Sequence, residues 1–109
     1  MTPLQLYYEY HLPKVVRCEN CGKPINDVGH KNVAHILPKS QFKSVSTNID
    51  NSLYLCTSLD GPVKGCHEIY DTGFETAKRM TVWSIAKERF NKFKHLITEK
   101  SITLLTFEN

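Results

Sequence analysis

At 109 residues, 40% of them hydrophobic, the chain has enough apolar material for one modest core and not for two, so a single domain over residues 1–109 is expected. No apolar run reaches the length of a membrane-spanning helix, and Met1–Leu12 has no basic stretch leading into a long apolar one, which points to the cytoplasm and away from a membrane partner. The net charge of +3 defines no partner by itself, but residues 75–100 carry seven Lys or Arg against three Glu, a local +4 that would attract a polyanion unless it is simply a solvated helix face.

In chain order, residues 4–16 alternate loosely around Leu6, Tyr8, Tyr10 and Leu12 and predict extended structure that Pro13 interrupts. Cys18–Pro24 reads as a knuckle whose Gly22 supplies a positive φ, and residues 26–31 as a turn. Val33–Leu37 is a short strand stopped by Pro38; Leu53–Leu55 is a second, paired with it across a long loop. After a loop over residues 57–65, His67–Asp71 forms a helical turn that Gly73 ends. From Thr76 to Ile97 the period becomes helical, with Val82, Ile85, Ala86, Phe93, Leu96 and Ile97 on one stripe. Arg89 falls inside that stripe and needs an acidic partner or a route to solvent. Ile102–Phe107 is β-branched and apolar enough for a final strand.

Four cysteines in a chain this small suggest a staple beyond the core. Cys18 and Cys21 bring two sulfurs to one side of a tight turn, and Cys56 with Cys66 would complete a closed tetrahedral site for structural zinc. Nine residues separate the second pair, longer than an ordinary knuckle, and His11 or His30 could replace one ligand. A redox pair and four free buried thiols are the competing readings; the first lacks a βαβ context.

His35-Ile36-Leu37-Pro38, then Asn51 five residues before Cys56, then Cys66-His67 with Asp71, occur in an order that resembles the HNH endonuclease family, and its cysteine-containing branch met in phage and bacterial genomes. The resemblance covers residues 18–71 and implies a small ββα-metal core with zinc knuckles; with the long amphipathic helix read from periodicity over residues 76–98 and the possible terminal strand, the expected fold is α+β. It assigns His35 as general base, a role imidazole suits because it can be neutral near pH 7. It makes Asn51 a residue that fixes the strand bearing His35, and His67 and Asp71 ligands of a catalytic divalent metal. Spacing of i and i+4 puts those two on one helix face. Mg²⁺ or Mn²⁺ suits the carboxylate, Zn²⁺ or Ni²⁺ the imidazole. Many members carry Asp, His or Glu just before the base, where this chain has Ala34.

Singly, His35 could be a core histidine, Asn51 a turn residue, and His67 with Asp71 a surface ion pair; jointly they favour a site. The expected function is a metal-dependent DNA endonuclease. The alternative is a weakened or inactive zinc-stapled module that binds DNA or a protein partner. Oligomeric state is not legible.

Overall fold

The computed structural model describes residues 1–61 and 63–108; Pro62, inside the expected loop 57–65, and Asn109 lie outside the described residues. Among the described residues the chain is α+β, with five α-helices and one two-stranded antiparallel sheet. The order is α1 (Pro3–His11), β1 (Val33–Ala34), β2 (Leu53–Tyr54), α2 (Cys66–Tyr70), α3 (Phe74–Ala77), α4 (Trp83–Phe93) and α5 (Leu105–Glu108), with short 3₁₀ turns between.

The N-terminal segment is a helix and not the expected strand. Thr2 caps it: its hydroxyl accepts from the Gln5 amide at 3.1 Å, the Gln5 side chain accepts from the Thr2 amide at 2.7 Å, and Pro3 sits at the first helical position. The buried residues are Tyr7 and His11, four apart, while Leu6 and Tyr10 of the apparent alternation are exposed. The knuckle closes as expected. Gly22 has φ +78°, and the Cys18 amide donates to the Lys23 carbonyl at 2.9 Å.

β1 and β2 are two residues each, with Val33 opposite Tyr54 and Ala34 opposite Leu53. Ile36, Leu37, Leu53 and Leu55 have no exposed surface and join Tyr7, Phe42, Phe90 and Phe93 in one core. Beyond α2 the expected long helix is divided. The amide of Val82, which continuous helix would direct at residue 78, donates instead to Asn20 Oδ1 at 2.9 Å, so the knuckle caps α4 from outside and sets its start. The expected C-terminal strand is also helical. A helix puts Leu104 and Phe107 on one face, and Phe107 inserts between Trp83 and Phe90, with centroids 4.6 and 4.8 Å away.

Arg89 has its acidic partner. Its guanidinium makes two bonds to Glu19, at 2.7 and 2.6 Å, and a third to the Ser52 carbonyl at 3.0 Å. The second role of Glu19 is to accept from the Tyr54 amide at 2.8 Å, so one partly buried fork ties α4 to β2 and the knuckle. Arg89→Ala should lower unfolding free energy by about 1–3 kcal/mol in urea titrations, because Glu19 loses its counter-charge. Arg89→Lys should recover only part, an ammonium being unable to make the paired bonds.

Candidate functional site

The four cysteines converge. Their sulfurs all lie within 4.8 Å of one another, the only such gathering of three or more metal-ligating side chains among the described residues. Bonds of about 2.3 Å to a tetrahedral ion place sulfurs about 3.8 Å apart, and Cys21 Sγ is 3.8 Å from Cys56 Sγ. The cluster also receives the N–H donors that stabilise thiolates: Asn20 Nδ2 to Cys66 Sγ at 3.2 Å, and the amides of Cys21 and Cys66 to Cys18 and Cys56, each at 3.5 Å. The arrangement is compatible with a structural metal such as zinc. Neither histidine weighed as a substitute belongs to it. His11 is buried and bonded through Nδ1 to the Tyr54 hydroxyl, and His30 stacks on Tyr8.

Gly65 lets the cluster close. A Cβ there would come within 2.2 Å of Thr57 Cα and 2.6 Å of the Cys56 carbonyl oxygen. Only glycine lets the start of α2 lie this close to the strand-end backbone, where the His67 amide donates to the Cys56 carbonyl at 2.9 Å.

On the other side of α2 a cleft of about 620 Å³ is lined by His35, His67 and Asp71, together with Tyr8, His30 and Lys39. His35 follows β1 directly. Its Nε2–H donates to the Ser46 carbonyl at 2.8 Å, which leaves the lone pair of a neutral ring on Nδ1. Burial pulls its pKa below the usual value, outweighing the Ser46 carbonyl. Tyr7 lies flat against the ring, with centroids 4.8 Å apart and planes 19° from parallel.

Asn51 is fully buried directly behind this strand end. Its Oδ1 accepts from the Leu37 amide at 2.8 Å and its Nδ2 donates to the Leu37 and Val45 carbonyls, each at 3.2 Å. The Tyr7 hydroxyl donates to the Asn51 carbonyl at 2.7 Å. Asn51 thus joins both sides of the loop that follows His35.

His67 Nδ1–H donates to the Lys31 carbonyl at 2.5 Å, and Nε2 is 3.2 Å from Asp71 Oδ2. That distance is a direct i,i+4 hydrogen-bonded contact, and the same two atoms are the ones that could hold a cation. Burial lowers the His67 pKa, but Asp71 and the Lys31 carbonyl outweigh it and the net shift is upward. Glu68, next to this pair, is committed elsewhere, its carboxylate accepting from the amides of Ser58 and Gly65. Ala34 lies in the core, 1% exposed, and off the cleft wall.

A further set of residues that no catalytic motif marks holds His67 in place. Lys31, whose carbonyl orients His67, is anchored by its ammonium to Asp60 Oδ1 at 3.0 Å, and Asp60 Oδ2 accepts from Asn32 Nδ2 at 3.0 Å and the Thr57 amide at 2.8 Å. The available signal was the Thr57-x-x-Asp60 spacing of a capping box. Compared with protein-family models, curated proteins and solved structures, the chain matches none.

Burial raises the Asp60 pKa, but its hydrogen bonds and Lys31 more than reverse this and bring it down to about 2. A carboxylate with a depressed folded pKa stabilises above its unfolded value and loses that contribution as pH falls through the folded one. Acid unfolding should therefore show a loss of stability between about pH 4 and about pH 2 that Asp60→Asn removes, measured as urea midpoint against pH.

Proposed function

We propose that the protein is a metal-dependent DNA endonuclease built on an HNH-type ββα-metal core. What supports the reading is that His35, just beyond β1, lines one cleft with His67 and Asp71 of the α2 segment, while Asn51 pins the strand end behind His35. In this mechanism Nδ1 of neutral His35 takes a proton from water as the water oxygen bonds to phosphorus and the phosphorus–oxygen bond to the leaving strand breaks. The Ser46 carbonyl holds the ring and supports the imidazolium that forms. His67 Nε2 and Asp71 Oδ2 would hold a divalent ion, Mg²⁺ or Mn²⁺ with Zn²⁺ or Ni²⁺ as further choices, that polarises the phosphate and neutralises the leaving oxygen. Cys18, Cys21, Cys56 and Cys66 would hold a separate structural zinc, and the basic stretch over residues 75–100 would supply backbone attraction.

A second reading is a non-catalytic module that holds DNA or a protein partner. It draws on the two protein ligands in the cleft and on the core position of Ala34, which adds no third. Supercoiled plasmid incubated with the protein and Mg²⁺, Mn²⁺, Ni²⁺ or EDTA separates the two: metal-dependent relaxation supports the nuclease, and intact plasmid under every condition defeats it.

One zinc per chain should be found by elemental analysis. A strong chelator should unfold the protein, since the binding free energy of a closed thiolate site contributes to folding. A metal-free chain whose melting ignores chelator would count against zinc.

His35→Ala should lower the cleavage rate by about 10² or more with DNA affinity nearly unchanged, because a general base acts on the transition state. The base must be neutral and its pKa is depressed by burial, so the acid limb of the rate profile should fall below pH 6.5. A limb at or above that value would remove His35 from the role.

A further inference from the structure

The wall of the cleft opposite α2 is not needed for proton transfer or for holding a cation. It comes from α1, the turn before β1 and the loop after it. The rings of Tyr8 and His30 stack with centroids 4.1 Å apart and planes 6° from parallel, and Lys39 Nζ is 6.0 Å from the Tyr8 centroid. His30 is exposed and Tyr8 half-buried, and both line the cleft that holds His35. Tyr8 also meets the His35 ring edge-on at 6.4 Å, so the stacked pair is next to the candidate base.

Two features say what this wall fits. The first is size: about 620 Å³ lies within the roughly 300–1,000 Å³ of sites that bind small organic ligands. The second is chemistry. Apolar and aromatic surface from Pro38 and Phe74 shares the lining with Lys39, a combination that suits a flat ring carrying a phosphate. Bases inside a duplex have both faces covered by their neighbours and cannot stack on a protein ring unless they leave the helix.

Resting on the nuclease reading, we infer that Tyr8, His30 and Lys39 form a subsite for an unpaired nucleotide of DNA beside the phosphate that is cut, with the base stacked on the His30–Tyr8 pair and its phosphate against the Lys39 ammonium. The preferred substrate is accordingly a single strand, flap or mismatched segment, and not continuous duplex. Association should weaken with salt, and Lys39→Ala should reduce the salt slope by about one phosphate contact.

The test compares one labelled sequence as single strand, flap and full duplex, cut by wild type, His30→Ala and His30→Phe. The unpaired forms should be cut with higher kcat/KM. His30→Ala should lower kcat/KM on them by about five- to a hundredfold, the range of base–aromatic stacking, mostly through KM and with little change on duplex. His30→Phe, which keeps an aromatic face, should restore most of the loss. Equal cutting of duplex and single strand, or an equal loss on both in His30→Ala, would overturn the subsite. A fall in kcat with KM unchanged would overturn it too, by making His30 part of the chemistry.

A binding measurement separates failure of this inference from failure of the nuclease reading. In His35→Ala, a single strand containing 2-aminopurine should lose fluorescence on binding as the base stacks, and adding His30→Ala should abolish that quenching. If no DNA is cut under any metal condition, the nuclease reading fails, and quenching or its absence still decides the subsite.

Discussion

The convergence of four cysteine sulfurs is the constraint on which the remaining geometry depends. Cys18 and Cys21 belong to the knuckle, Cys56 lies just beyond β2, and Cys66 is the first residue of α2, so a cluster within 4.8 Å fixes the sheet end, the knuckle and the helix start together. His67 follows Cys66 directly, and its backbone amide bonds to Cys56. Any displacement of the cluster moves a cleft residue. The two residues inside the knuckle extend its reach to the C-terminal half: Glu19 grips Arg89, while Asn20 bonds to Cys66 Sγ on one side and to the Val82 amide on the other. Four thiols this close oppose one another's ionisation. Cys66 is pushed up by burial and by Cys56 and Cys18, whereas in Cys18 the N–H donors around it overcome burial and bring the thiol down to about 7. A cation would resolve that conflict by taking the charge of all four.

The parts of the fold legible in the sequence were those governed by local rules. Gly22 at its positive φ, the pairing of two short strands and the helical turn at His67 follow from local residue choice, although the first strand ends at Ala34 and not at Leu37; the four cysteines converge despite the nine residues between Cys56 and Cys66. The remaining elements are decided by tertiary contacts. Alternation at Leu6, Tyr8 and Tyr10 suggested a strand, but the Thr2–Gln5 cap and the burial of Tyr7 and His11 make a helix, and the cap signal was there to be read. A helical period through 76–97 gave no sign that Asn20, some sixty residues earlier, takes the Val82 amide and interrupts it. Arg89 looked anomalous because its partner lies 70 positions away. The site shows the same division: His35, Asn51, His67 and Asp71 stand out by motif, whereas Lys31 acts through its carbonyl, which no sequence motif records.

The three most enclosed histidines show how surroundings set what one side chain can do. His11 is buried among Tyr7, Tyr10 and Tyr54, and burial brings its pKa down to about 4, so it stays neutral as part of the core. His35 is less enclosed. It is held at Nε2 by a carbonyl with Nδ1 left over, the condition for accepting a proton. His67 has a carbonyl at Nδ1 and a carboxylate at Nε2, which favours positive charge at Nε2, whether that of a proton or that of a metal ion.

Helix α1 also changes what the cleft is made of. A ββα unit alone would leave one face of the His35 ring and the loop beyond it without support on that side. Here Tyr7 covers the ring and bonds to the Asn51 carbonyl, so one tyrosine restrains both the imidazole and the residue that fixes its strand. Tyr8, the next residue, points to the cleft because adjacent helical positions are turned about 100° from each other. The same helical turn therefore supplies a buried support for the His35 ring and an aromatic wall for the cleft. An extended strand over these residues would also separate the two side chains, but it would break the four-residue spacing that buries Tyr7 and His11 together, and with it the anchorage of α1 to Tyr54.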